Sequence, residues 1–420
     1  MTRRKFIQLI SKTLLSIGFT MPMLNNSLAK ASPFPLRFIR QIVAKDAVNS
    51  RVIVAESTSY LPDLSLVLKP TENKNAAPLK VNAACTSLYL DNIKNYFYSV
   101  YLPVLTADTE YKYYFAAENN TAVSNVYSLT AARRSDSFNA LILADSQCGT
   151  SYDLWQKNLA KAMHRHQNID FAAILGDLVD NGESSWHWES FWSATADAFS
   201  RTPLAPVMGN HECYGLDWNF SLPRRFVHSF NLPANGNDKL KNYYYSFNYG
   251  KVHFIVLNTQ LLELKNMHAD LLASELDWLY SDAHSHNLPW QVVLMHKDIL
   301  AYDEYQQESN SIGGFSDVGR AFMSAFDELG IDLVLTGHMH TYRNRQKITA
   351  FKPSTIGTTY IMSGPSGNET YTIPPDELDK KSIYQPTPPN YILLNASSSE
   401  LIITDYTFNG ELIDQTILTK

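Results

Sequence analysis

The sequence predicts a chain of two unlike parts, a small all-β sandwich followed by an α/β unit. From about residue 38 to 130, short runs rich in β-branched and aromatic residues are separated by turn formers, with no helical stripe among them. Beyond the polar break Arg133-Arg134-Ser135-Asp136, strand-like apolar runs alternate with stretches of helical periodicity. Five of those later runs stop abruptly at a polar residue, as a strand delivering side chains to a crevice would.

The bulk properties allow such a plan. A chain of 420 residues exceeds one ordinary core, and with 45% apolar and 18% charged residues it can fill two. A net charge of −6 argues against nucleic acid or an anionic membrane as a bulk electrostatic partner. The expected division is a leader over 1–31, a β-sandwich over 38–133 and an α/β domain over 137–420.

The leader reads Met1-Thr2-Arg3-Arg4-Lys5-Phe6-Ile7 and ends near Ala29-Lys30-Ala31, a small-x-small pattern. It resembles a twin-arginine export signal, which implies the twin-arginine translocation machinery as a partner and a periplasmic or secreted location. The apolar run over 6–19 is broken by Gln8, Ser11, Lys12 and Ser16, and falls short of the roughly 20 apolar residues that a span needs. No stable membrane span is expected. Cys85, Cys148 and Cys213 are too few for a disulfide framework. Buried free thiols are the favoured reading, with a Cys148–Cys213 bond the alternative in an oxidising compartment.

In the first part, strands are expected at 51–55, 64–68, 96–102, 111–115 and 123–129. Residues 105–113 resemble the turn into a late strand of fibronectin type III domains, with Tyr111 at the corner position. In the second part, the runs 140–144, 171–175, 206–208, 292–295 and 333–335 lead into Asp145, Gly176-Asp177, Gly209-Asn210-His211, His296 and Gly337-His338. Leu272, Leu276 and Leu279 repeat at helical spacing, and 318–329 has the same character. Asn409-Gly410 between two strand-like runs reads as a hairpin that closes the second unit's sheet.

Singly, each motif has a plain reading. Gly176-Asp177 could be a turn, Asp145 and Asn210 could cap helices, and His253 reads as a satisfied core histidine. The ordered set is different. Asp145-Ser146-Gln147, Gly176-Asp177-Leu178-Val179-Asp180, Gly209-Asn210-His211-Glu212, His296 and Gly337-His338-Met339-His340 together resemble the calcineurin-like metallophosphoesterase superfamily, over about 139–343. With a fibronectin-like domain in front, the plan is similar to that of purple acid phosphatases.

The resemblance implies a four-layer sandwich, with two central mixed β-sheets flanked by helices. It implies a metal-dependent phosphoric ester hydrolase holding two divalent or trivalent transition-metal ions, iron, manganese or zinc. Asp177 would bridge them. Asp145, Gln147 and His340 would complete one site, and Asn210, His296 and His338 the other. Carboxylate, carboxamide and imidazole donors suit such ions, and a close pair activates water for attack on phosphorus. His211 would act as general acid or bind phosphate, with the Asp180 carboxylate orienting its ring. Arg343 would bind a substrate phosphate through its guanidinium fork.

Two positions depart from the family. Gln147 stands where a histidine is usual, and Asp180 stands where purple acid phosphatases have the tyrosine that colours their iron, so a purple protein is not expected. Monoesters are favoured as substrates, with phosphodiesters or nucleotide pyrophosphates as alternatives. A non-catalytic exported binding protein on the same scaffold is the reading of another class. The helical spacing of Trp186, His187, Trp188, Phe191 and Trp192, after the Asp177 loop, points to core packing, with a lining of the substrate cleft the alternative.

Overall fold

The computed structural model describes residues 34–420 apart from 74, 133–134, 150, 303–311, 374 and 383–386. The proposed leader therefore lies outside the described residues. Among those described, no helix is long and apolar enough to cross a membrane.

Among the described residues a ten-stranded sheet has the order Leu412–Thr419, Glu400–Thr407, Asn390–Ala396, Phe138–Leu143, Phe171–Ile174, Leu204–Pro206, Arg37–Val43, Arg51–Ser57, Ile93–Leu102, Ala84–Leu90. Its central strands Phe138–Leu143, Phe171–Ile174 and Leu204–Pro206 are parallel and wholly apolar apart from Asn139, as strands covered on both faces should be. The C-terminal hairpin turns at Asn409-Gly410, with Gly410 at φ 95°, and the strand Asn390–Ala396 joins it antiparallel to Phe138–Leu143.

A second, seven-stranded mixed sheet contains Tyr245–Tyr249, Val252–Val256, Trp290–Leu294 and Leu333–Thr336 as successive neighbours. The two sheets pack face to face through Phe138, Phe171, Phe247 and Phe254, whose rings meet at centroid distances of 4.9 to 6.0 Å. Strand alternation divides the second sheet: Val292, Leu294, Leu333 and Leu335 join that inner core, while Val293, Met295 and Val334 join a separate one. There they meet Leu279 of the helix Leu271–Ala283, and Phe322 and Phe326 of the helix Asp317–Leu329. The helices Asp153–Arg165 and Ser185–Phe199 contribute Trp155, Trp188, Phe191 and Trp192 to the core of the first sheet. Helix, sheet, sheet, helix is the four-layer order expected. The last helix is bounded as its sequence suggests: Ser316 Oγ accepts the Gly319 N–H at 3.0 Å, and Gly330 closes it at φ 66°.

The N-terminal strands are part of this architecture. Ile42 pairs in parallel with Leu204, so the first sheet continues across the division expected at 133–137. Alternation again gives each strand two duties. Ile42, Val52 and Val54 face the large core, whereas Ile39, Ile53 and Ala55 face a smaller one. That smaller core is closed by a four-stranded sheet of Leu79–Asn82, Ser65–Pro70, Glu110–Ala116 and Tyr127–Thr130. The Tyr111 hydroxyl accepts the Thr106 N–H, five residues upstream, at 3.1 Å. Val123–Leu129 yields a strand only from Tyr127, since the Ser124 hydroxyl accepts the Phe115 N–H at 2.9 Å and interrupts the ladder.

Charged groups also cross the seam. Arg40 and Arg225 both clasp the buried carboxylate of Glu56, the Arg40 pair at 2.7 Å. The side chain of Gln41 and the hydroxyl of Tyr113 both donate to the Ser200 carbonyl at the end of the helix Ser185–Phe199.

Candidate metal centre

Three of the five strand ends come from the ten-stranded sheet and two from the seven-stranded sheet, so the site lies where two sheets meet rather than along one edge. Each run ends in a sharp turn. Asp145, Asp177, His338 and His340 all adopt positive φ, between 47° and 73°, a region that side-chain-bearing residues rarely enter. Strain of this kind persists where surrounding structure imposes it, and it concentrates at functional sites. Gly176 turns at φ 94°, and a Cβ there would sit 2.4 Å from His296 Nδ1. At Gly209 the reason is space: a Cβ would lie 2.2 Å from both the Asp177 nitrogen and its Oδ1.

The buried Asp177 carboxylate is the centre. Its Oδ1 accepts the His211 N–H at 2.8 Å. Its Oδ2 lies 3.3 Å from His296 Nε2, 3.4 Å from Gln147 Nε2 and 3.9 Å from His211 Nε2. Donor atoms of Asp177, His296 and His338 all lie within 4.8 Å of one another. Asn210 Oδ1 is 3.0 Å from His296 Nε2, which completes one group. On the other side, His340 Nε2 is 3.4 Å from Gln147 Nε2 and 3.6 Å from Asp145 Oδ1. All seven expected donors are thus brought together.

The imidazoles are oriented for ligation. His296 Nδ1 donates to the Leu175 carbonyl at 2.7 Å and His340 Nδ1 to the Glu369 carbonyl at 2.8 Å, which leaves each Nε2 for the centre. Gln147 Oε1 is buried with no hydrogen-bond partner, while its amide nitrogen faces Asp177 and His340. A half-turn of the terminal amide presents the oxygen to those neighbours, the arrangement a cation needs.

The protonation equilibria conflict. Burial pushes the Asp145 carboxyl well above the usual carboxylate range; His296 opposes this and the Asp177 charge adds to it. Burial acts the same way on Asp177, but the His296 and His211 imidazoles outweigh it and hold that carboxyl below the range. Burial disfavours charge on His296, yet Asp177 raises the ring to about 9. His340 falls to about 3, mainly through burial. Three buried carboxylates, Asp145, Asp177 and Glu212, share this space, and bound cations would relieve their mutual repulsion. The residues therefore fit the metal ions expected of them.

Glu212 was not anticipated. Its Oε1 accepts the N–H groups of Leu178 at 2.8 Å and Val179 at 3.3 Å, and its Oε2 those of Asp177 at 3.0 Å and Gly209 at 2.7 Å. One carboxylate thereby ties two candidate metal loops into one unit. Burial, then the Asp177 charge, pushes it up to about 7. Its place in Gly209-Asn210-His211-Glu212 is the only sequence signal it carries.

Two expected roles are corrected. His211 Nδ1 pairs with the main-chain carbonyl of Asp180 at 2.7 Å, not with its carboxylate. That carboxylate instead accepts the N–H groups of Cys148 at 3.3 Å and Gly149 at 2.8 Å and the Tyr152 hydroxyl at 2.9 Å, so it braces the loop after Gln147. Arg343 is fully buried, with its guanidinium on the carbonyls of Tyr342 and Ile373 and 3.4 Å from Asp379. It is a structural cation turned away from the centre, because the strand Arg343–Arg345 packs its side chains inward. All three cysteines are free thiols, with Cys148 directed at the carbonyls of Ser146 and Gly367. His253 is the satisfied core histidine expected, held by Asn248 and Asp282.

A family profile described as calcineurin-like phosphoesterase matches residues 138–342, the span that contains every candidate donor. Residues 138–342 are a calcineurin-like phosphoesterase domain. Purple acid phosphatase 15 of Arabidopsis thaliana is 25% identical over 234 residues, which are 48% of this chain and 41% of that protein. Purple acid phosphatase 18 of the same plant is 26% identical over 226 residues, 51% of this chain and 48% of that protein. The chain spans about half the length of the curated relatives it matches. Among solved structures, a purple acid phosphatase, PPD1, from yellow lupin (Lupinus luteus) seeds superposes with a TM-score of 0.74 at 17% identity, covering 93% of this chain and 75% of that one. A structure of PhoD superposes at 0.59 and 13% identity, over 91% of this chain and 88% of that one. Both likenesses extend well beyond the phosphoesterase domain, so the N-terminal β-unit belongs to the shared fold.

Proposed function

We propose that this chain is an exported phosphoesterase that hydrolyses phosphate monoesters at a two-metal centre. The supporting observation is the meeting of Asp145, Gln147, Asn210, His296, His338 and His340 around one buried carboxylate, Asp177. Asp145, Gln147 and His340 would hold one ion, Asn210, His296 and His338 the other, with Asp177 between them. When bound, such a pair supplies Lewis acidity to phosphoryl oxygens and lowers the pKa of coordinated water.

The chain's own groups do the remaining work. His211 places Nδ1–H on the Asp180 carbonyl, which leaves Nε2 to face the centre, where it would bind phosphate or act as the general acid toward the departing alkoxide. The ring is 23% exposed, open enough to meet a substrate. Asp180 and Glu212 hold the loops in place, and Arg343 takes no part. A fibronectin type III-like sandwich over 38–133 and a twin-arginine leader over 1–31 complete the proposal, with Arg3 and Arg4 as the export determinants.

The test is metal content and turnover measured on one sample, with p-nitrophenyl phosphate and bis-p-nitrophenyl phosphate as mono- and diester. Two transition-metal ions per chain, monoester hydrolysis and its loss in Asp177→Ala with the fold intact are expected. A metal-free, folded and active preparation would overturn the mechanism, and a diester preference would overturn the substrate class. Replacing Arg3 and Arg4 with lysine should retain precursor inside the cell.

A further inference from the structure

We infer that the protein binds a hard divalent cation, calcium in preference to magnesium, between its two sheets, on the carboxylates of Asp405 and Asp414. The site shares no donor with the candidate metal centre and does not depend on the activity proposed above.

Strand pairing places both carboxylates on one face. Asp405 lies directly opposite Ile392 on one neighbouring strand and Asp414 on the other. Leu401 and Ile403, on the same face of the strand as Asp405, belong to the apolar core between the sheets, as does Ile392. The facing sheet brings polar groups to the same place. The Tyr342 hydroxyl donates to Asp414 Oδ2 at 3.0 Å. Asn344 Nδ2 donates to that oxygen at 2.9 Å and to Thr416 Oγ1 at 2.7 Å. Asn344 stands opposite Ile361, another member of that core. Asp405, Asp414, Thr416, Tyr342 and Asn344 thus enter the layer between the sheets from its two sides.

The oxygens there want for a positive partner. Asp405 is wholly buried, and neither of its oxygens has a hydrogen-bond donor among the described residues. Asn344 Oδ1 is buried without a partner as well. Arg343 and Arg345, on either side of Asn344, turn to the other face, where they pair with Asp379 and Asp298. Like charges set opposite each other on a sheet repel, and an ionised carboxylate without donors is among the costliest groups to bury. A proton on Asp405 supplies one hydrogen bond where three oxygens lack a donor, and it leaves Asp414 charged. A divalent cation balances both carboxylates and takes unpaired oxygens as its ligands.

The donors choose the ion. They are carboxylates, a carboxamide and a phenol, with no imidazole or thiolate of the kind that zinc or iron favours. Magnesium demands near-octahedral geometry and keeps several waters, whereas calcium accepts about six to eight oxygens in flexible arrangements, which suits a site enclosed by two sheets. Asp414 is only partly buried and lies on the outermost strand of its sheet, which gives the ion a way in from the rim. Tyr342 and Asn344 come directly after Gly337-His338-Met339-His340 in the chain. The ion therefore fastens the segment that leaves those histidines to the C-terminal hairpin.

The experiment is equilibrium dialysis with radioactive calcium, together with thermal unfolding with and without about 1 mM calcium or magnesium at pH 8, on metal-loaded protein. The variants are Asp405→Asn, Asp414→Asn and Asp177→Ala. Wild type is expected to bind about one calcium ion per chain more than Asp405→Asn or Asp414→Asn. Its melting temperature should rise by about 2–4 °C in calcium and by less in magnesium. Without calcium, Asp405→Asn is the more stable protein at this pH, because its amide carries no charge to neutralise, and calcium should close that gap. Asp177→Ala should keep the full calcium response. A response lost in Asp177→Ala and kept in Asp405→Asn places calcium at the phosphoesterase centre and overturns the inference. Equal binding and equal shifts in wild type and Asp405→Asn overturn it too, and leave a proton, or Lys381, which the ladder sets opposite Asn344, to neutralise the pair. No turnover is read, so an inactive protein that responds to calcium removes the enzyme and leaves this site standing.

Discussion

The Glu212 carboxylate accepts the Asp177 main-chain N–H at 3.0 Å and, through the same oxygen, the Gly209 N–H at 2.7 Å. The residue at the centre of the site and the turn that precedes Asn210 are therefore positioned by one side chain. Glu212→Ala would leave several buried N–H groups unsatisfied, a loss of about 3 kcal/mol or more. Denaturant unfolding should register that loss. Metal content should fall in Glu212→Ala and recover in part in Glu212→Gln, which keeps one acceptor oxygen.

Gln147 supplies a neutral amide beside Asp177 and His340. Imidazole is the stronger ligand for borderline ions. Gln147→His should raise retention of the ion on the Asp145 side, read as metal per chain after dialysis against a weak chelator. Equal retention in both proteins would remove residue 147 from the ligand set.

Arg343 sits in a buried ion pair with Asp379. Arg343→Ala leaves that carboxylate to Arg345, 2.6 Å away, but takes the guanidinium donor from the carbonyls of Tyr342 and Ile373, and should cost about 1–3 kcal/mol of stability. The KM for a small phosphate ester should stay at the wild-type value, measured below the variant's melting temperature. A KM increase with unchanged stability would return Arg343 to the substrate site.

Asp405 is wholly buried and both its carboxylate oxygens lack partners, so burial, then the Asp414 charge, pushes it well above the usual carboxylate range. The folded state therefore holds this proton more tightly than the unfolded chain does. The associated stability is present in acid and is lost as pH rises from the ordinary carboxylate range through the raised value. Asp405→Asn should be the more stable protein at alkaline pH and should flatten the decline of melting temperature from pH 5 to 9. Melting curves across that range check the sign.

Much of the site was legible because each strand end announces itself by an apolar run stopping at a polar residue, as at Leu143 to Asp145 or Leu294 to His296. The helices 271–283 and 317–329 were legible from their spacing. The Asp180 contact was misread because the family resemblance places residue 180 near His211 without distinguishing its carbonyl from its carboxylate. Arg343 was misread because two or three residues beyond a ligand the chain has already become an inward-packed strand. Glu212 was missed because its four donors come from two loops more than 25 residues apart in sequence, a convergence with no local trace. The pairing of Ile42 with Leu204 is hidden for the same reason.

That last pairing also orders events in time. The strand Arg37–Val43 emerges from the ribosome long before Leu204–Pro206 exists, so one of its two edges must wait, unpaired, for some 160 residues of synthesis. An open edge of this kind invites pairing with the wrong chain. The charge of Arg40, not enclosed until Glu56 and Arg225 reach it, makes the strand a poor template during the delay.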